Sequence, residues 1–115
     1  MISRELVAAS SLPLVLSILK RGESYGYAIL QEVRELSGGK VAWAEGMLYP
    51  VLHRLEERGL ILARWRKGES GRRRKYYRLS AKGGRALEKE QDAWRLIDSL
   101  LEKLWAKPRL AEGGA

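Results

Sequence analysis

Glu45-Gly46-Met47-Leu48-Tyr49-Pro50-Val51-Leu52-His53-Arg54-Leu55-Glu56-Glu57-Arg58-Gly59 decides how the rest of the chain is read. Met47, Leu48, Val51, Leu52 and Leu55 recur at three- and four-residue spacing, which lines them along one stripe of an α-helix facing a core. Gly59 is the expected stop, because a glycine just past the last periodic residue supplies the left-handed conformation a helix end commonly needs. Arg54 and Arg58 stand where the helix dipole favours positive charge. Pro50 falls within about a turn of the helix start, where a missing N–H costs least. The other face carries Tyr49, Pro50, His53 and Arg54, and a small domain offers it nothing internal to bind.

Upstream, a helix is expected from about Ser3 to Lys20, kinked or restarted near Pro13, with Leu12, Val15, Leu16 and Leu19 as its buried stripe. Ser24 is the expected N-cap of a second helix from Tyr25 to about Leu36, ended by Ser37-Gly38-Gly39, with Tyr27, Leu30 and Val33 apolar along it and Ile29 and Leu36 flanking them. Gly26 in its first turn permits close packing. Two short helices joined by a glycine turn, the second with a polar outer face, fit a helix-turn-helix.

Downstream, Leu60 to Arg66 and Arg73 to Leu79 flank the Gly/Ser loop Lys67 to Arg72, the pattern of a β-hairpin. Alternation assigns Tyr77 and Leu79 to a packed face and Tyr76 and Arg78 to a wet one. This hairpin would be the wing of a winged helix. Ser80 is the expected cap of a last helix, weakened at first by Gly83 and Gly84 and ended by Pro108. In heptads, Leu87, Trp94 and Leu101 share one seam position and Ile97 and Leu104 the other. So small a domain has little surface left to cover that stripe, so a homodimer is expected. The fold class is therefore mainly α with a small β-hairpin. It is a winged helix-turn-helix over 1–79, a dimerisation helix over 80–107 and a flexible tail over 108–115.

The chain has 115 residues and a net charge of +8. Between Arg64 and Arg78 stand eight basic residues and one acid, Glu69, so this segment alone carries +7. Positive charge so concentrated implies a polyanionic partner. The chain has no cysteine, which excludes disulfides and thiolate chemistry, and its single histidine, His53, cannot make a metal site alone; no cofactor is expected, and a cytoplasmic chain is consistent. The apolar run from Leu6 to Leu19 is interrupted by Ser10, Ser11, Pro13 and Ser17 and is too short to span a membrane. Lys20-Arg21-Gly22-Glu23 is a poor signal-cleavage site, so a core helix is expected there. With no phosphate loop, no catalytic triad and no carboxylate cluster, an enzyme is not expected.

The segment Glu45 to Ile61, followed by Gly71-Arg72-Arg73-Arg74-Lys75-Tyr76-Tyr77-Arg78-Leu79, resembles the PadR family of bacterial transcriptional regulators. Ser24-Tyr25-Gly26-Tyr27 stands as an altered form of the family's upstream His/Ser-Gly-Tyr pattern, and the resemblance extends over about Leu12 to Trp105. It implies a winged-helix domain, dimerisation through a C-terminal helix and repression at inverted-repeat operators. The short C-terminal part is similar to the subfamily whose dimer helix is a single long one. Where the family usually has Thr, this chain has Met47, so a hydroxyl near the helix start is missing and phosphate contact there would fall to backbone N–H groups.

Double-stranded DNA is the expected partner. On the third helix, Arg54 can grip guanine O6 and N7, while Tyr49 suits phosphate or a thymine methyl; Pro50 and His53 lie beside them. Arg54 could instead pair with Glu56 or Glu57, and Tyr49 could pack. In the wing, Lys67, Arg72, Arg73, Arg74 and Lys75 would meet phosphates or the minor groove. Trp94 on the dimer seam could simply be core; the resemblance to small members of the family alternatively implies a flat aromatic effector stacked on Trp94 at the dimer interface, with Val7, Ala8 and Ser11 lining the pore. A winged-helix adaptor without DNA binding and an RNA-binding winged helix that uses Tyr76 and Trp65 are the rival readings.

Overall fold

The computed structural model describes residues 2–107 and 109. In chain order they form α1 (Arg4–Arg21), β1 (Ser24–Tyr25), α2 (Gly26–Leu36), α3 (Glu45–Glu57), β2 (Ile61–Lys67), β3 (Arg73–Leu79) and α4 (Ala81–Ala106). Four helices and a small antiparallel sheet confirm the mainly α architecture. The expected stop at Pro108 and the tail 108–115 fall, Arg109 apart, outside the described residues.

α1 runs without interruption through Pro13, so the restart expected there does not occur. Ser3 caps it by accepting a hydrogen bond from the Leu6 amide at 3.1 Å. Val15, Leu16, Ile18 and Leu19 are buried, and with Ile29 and Val33 of α2 and Leu48, Val51, Leu52 and Leu55 of α3 they build the core. The inward face of α2 is Ile29 and Val33, with Leu30 packed beside them, while Tyr27 and Leu36 are exposed.

Ser24 does not cap α2. It belongs to β1, which pairs with β3 through Ser24↔Tyr77 and Tyr25↔Tyr76, so the sheet has three strands in the order β1-β3-β2. A two-residue strand carries no periodicity, which is why the pattern shows only a hairpin. β1 also corrects the expected wet face of β3. Tyr76 is buried as well as Tyr77, because Tyr25 meets its ring edge-on at 5.3 Å and the Arg66 guanidinium lies 3.8 Å from its centroid.

α3 ends as its sequence suggests. Gly59 takes φ 74°, its N–H donates to the Glu56 carbonyl at 3.0 Å, and the Leu60 N–H donates to the Leu55 carbonyl at 3.0 Å. These paired bonds form a Schellman end. Pro50 lies deeper than expected, in the second turn of α3, and leaves the Gly46 carbonyl without its helical donor.

α4 starts on Ser80, whose side chain accepts from the Gly83 N–H at 2.9 Å and donates to the Gly59 carbonyl at 2.6 Å. Leu87, expected on a dimer seam, is instead 1% exposed in the core of its own chain. Beyond it α4 leaves the body. The radius of gyration is 18.0 Å, against about 13 Å for a compact chain of this length.

Candidate nucleic-acid interface

Tyr49, Pro50, His53 and Arg54 all lie exposed on α3, because the stripe from Leu48 to Leu55 turns the opposite side into the core. Tyr49 is held in place by α2: its ring covers Gly26, where an added Cβ would come within 2.7 Å of Cζ and 2.8 Å of Cε1. The glycine thus makes room for the tyrosine, which is packed along one edge and exposed along the other.

The acids beside Arg54 are engaged elsewhere. Glu56 lies 3.0 Å from Lys75 Nζ, and Glu57 lies 3.5 Å from His53 Nε2. Among the described residues Arg54 makes no ion pair, so its guanidinium stays available.

The wing sorts its eight basic residues by what they touch. Register places Arg64 and Arg66 of β2 with Arg74 and Tyr76 of β3 on one face of the hairpin. On that face Glu23 binds both Arg64, at 2.9 Å, and Arg66, at 3.1 Å. The hydrogen bond from Arg64 holds the Glu23 carboxyl below its usual pKa, with the positive charge of Arg64 and Arg66 adding to it. Arg74 lays its guanidinium 4.4 Å from the centroid of Tyr25.

The other face of the hairpin carries Trp65 opposite Lys75 and Lys67 opposite Arg73, and it faces α3. The Glu56 carboxylate raises the pKa of the Lys75 ammonium, while burial pushes that of the Tyr77 phenol up. Lys67, Arg72, Arg73 and Arg78 make no ion pair among the described residues. Gly71, at φ 84°, makes the turn between the strands possible for the tip.

Together these elements enclose an open groove lined by Tyr25, Tyr49, His53, Trp65, Arg73 and Lys75 among others. Of the expected contact set it brings together Tyr49, His53, Arg73, Arg74 and Lys75. Pro50, Arg54, Lys67 and Arg72 lie outside its lining. Sequence reading missed Tyr25 and Glu23 and left Trp65 out of the DNA-contacting set. Strand parity could have found Trp65, since Ile61 and Ala63 point inward and Trp65 and Lys67 continue on the same side.

The far part of α4 has a second, uncharged surface. Trp94, Leu96, Ile97, Leu100, Leu101, Leu104 and Trp105 are all exposed. On a helical wheel they cover about half the circumference, and none of the described residues covers them. Beside Trp94 the groove between α1 and α4 is lined by Ser10, Pro13, Leu14, Ser17, Leu87, Glu90 and Gln91. Of the other residues expected around a ligand, Val7 packs against the core, Ala8 is exposed, and Ser11 is buried with its hydroxyl bonded to the Ala8 carbonyl at 3.0 Å. Among the described residues no helix is long and apolar enough to cross a membrane, and no cluster of potential metal ligands occurs.

Known proteins share this fold. Residues 15–89 match the model of the transcriptional regulator PadR-like family. The chain superposes on a transcriptional regulator from Clostridium thermocellum with a TM-score of 0.82 at 29% identity, covering 90% of this chain and 98% of that one. A PadR family transcriptional regulator from Eggerthella lenta gives a TM-score of 0.76 at 34% identity, over 88% and 86% of the two chains. The transcriptional regulator YqjI of Escherichia coli is 28% identical over 88 residues, which are 76% of this chain but 41% of that longer protein. With the family model spanning the C-terminal part of α1 through the start of α4, well over half of the sequence, the chain belongs to the PadR-like family of transcriptional regulators.

Proposed function

We propose that the chain is a homodimeric repressor that sets α3 of each protomer into the major groove of an inverted-repeat operator, with each wing on the flanking backbone or minor groove. The observation that carries this reading is the shared groove between α3 and the wing. The outer face of α3 and the cations Arg73 and Lys75 meet there, with Lys67 and Arg72 at the adjoining tip free of acidic partners among the described residues. Such an arrangement suits a duplex whose phosphates flank the bases being read.

The uncovered ridge of α4 supports the dimer. Ile97, Leu101 and Leu104 would bury against the same residues of a second copy, and a two-fold dimer requires such a self-complementary surface. Trp94 sits at the root of this ridge, beside the groove between α1 and α4, and there a flat aromatic effector would stack and loosen the grip on DNA. Footprinting on duplex DNA flanking the chain's own gene tests the reading. Two protected half-sites related by a dyad, about 34–36 Å apart, are expected. A single isolated site, or none, would contradict it.

A further inference from the structure

Trp65 is 58% exposed and lines the cationic groove. A lone exposed apolar side chain is ordinary on a protein surface, but the surroundings of this one are not. It lies on the α3-facing side of the wing, in the same groove as Tyr49 and His53 of α3. Its cross-strand neighbour Lys75 is drawn away toward Glu56, 3.0 Å distant, so the indole face is left uncovered by its own partner. Near that face lies Arg73, whose guanidinium carbon is 5.5 Å from the ring centroid. Trp65 is also no part of the hydrophobic core.

We propose that Trp65 is a DNA-contacting residue. Its indole packs on the deoxyribose edge of the strand that passes between α3 and the wing tip, and it holds Arg73 toward the neighbouring phosphate. This deepens the duplex-binding reading above and rests on it. Position gives the chemistry: Trp65 lies two residues before the end of β2, between the helix that reads bases and the tip that meets phosphates, where a duplex presents its sugars. An uncharged ring there contributes affinity that salt does not screen, while Arg73 contributes affinity that it does.

The test compares the unaltered chain with Trp65→Ala, Trp65→Phe and Arg73→Ala on a duplex bearing the operator, across a range of salt. Trp65→Ala is expected to weaken binding about tenfold and Trp65→Phe much less, because a ring remains. Arg73→Ala is expected to lower the slope of log affinity against log salt by about 0.9, and the Trp65→Ala loss to shrink on that background. Duplex addition is expected to change tryptophan fluorescence, and Trp65→Phe to diminish that change even if Trp65→Ala folds poorly, the other three tryptophans being retained. Trp65→Ala binding within about twofold of the unaltered chain, or a fluorescence change of undiminished size in Trp65→Phe, would overturn the proposal. Failure of the unaltered chain to bind any duplex at low salt would overturn the duplex-binding reading and this inference with it.

Discussion

Gly83 abuts Leu60 so closely that an added Cβ would lie 2.9 Å from the Leu60 carbonyl carbon and 2.8 Å from Leu79 Cδ1. The first turn of α4 is thus set directly on the turn that ends α3. Three further bonds fasten the same junction: Ser80 N–H to the Leu60 carbonyl at 3.1 Å, the Ser80 hydroxyl to the Gly59 carbonyl at 2.6 Å, and Lys82 Nζ to the Arg58 carbonyl at 2.8 Å. The direction in which α4 leaves the body is therefore fixed relative to α3, and a dimer built on α4 would inherit that direction in the spacing of its two α3 helices.

Gly83→Ala tests the junction. Leu60 backbone cannot yield as a side-chain tip can, so the substitution is expected to cost about 3 kcal/mol, read as a lowered midpoint in thermal or urea unfolding. Gly84→Ala, one residue on, meets nothing closer than Leu79 Cδ2 at 4.0 Å. It should stabilise the helix by about 0.5–1 kcal/mol.

Gly26→Ala should separate stability from binding. The group in its way is the end of the Tyr49 ring, which can swing aside. Stability is expected to fall by less than about 1.5 kcal/mol. Duplex affinity is expected to fall several-fold, because the displaced ring no longer lies along α3, and Tyr49→Ala should add little further loss on that background.

Two leucines of one helix should behave oppositely. Leu87→Ala opens a cavity in the core and is expected to cost about 2–5 kcal/mol of stability. Leu101→Glu, on the exposed ridge, is expected to leave the fold of each chain intact and give monomers in sedimentation equilibrium. A Leu101→Glu chain that stays dimeric would show that the ridge is not the interface.

Glu23 makes stability depend on acid. Hydrogen bonding from Arg64 lowers the pKa of its carboxyl in the folded state. A group of this kind adds stability that is present above its unfolded pKa and lost as pH falls through the folded one. The melting temperature of the unaltered chain should therefore fall more steeply below about pH 4.5 than that of Glu23→Gln, while the two curves run parallel near neutrality.

The helices and wing were legible because each leaves a periodic signal. Leu48 to Leu55 repeats at helical spacing, Gly59 marks the stop, and all eight basic residues from Arg64 to Arg78 flank or lie within two segments of strand character. What escaped depends on contacts between segments far apart in sequence. Ser24 looks like a helix cap until Tyr77 is found beside it, and Glu23 looks like a loop acid until Arg64 and Arg66 reach it across the sheet. Leu87 fits the heptad of the dimer ridge, and only the packing of α4 on α1 assigns it to the core. In the contact set, charge alone could not tell Arg72, free at the tip, from Arg74, stacked on Tyr25.

The most direct test is the salt dependence of binding to an operator duplex, for the unaltered chain and for the variant with Arg72, Arg73 and Arg74 all changed to alanine. The account predicts a steep fall of affinity with salt, and a slope reduced in the variant by about 2 or more, with binding still centred on the same inverted repeat. Affinity indifferent to salt, or a slope unchanged by the loss of these arginines, would contradict it.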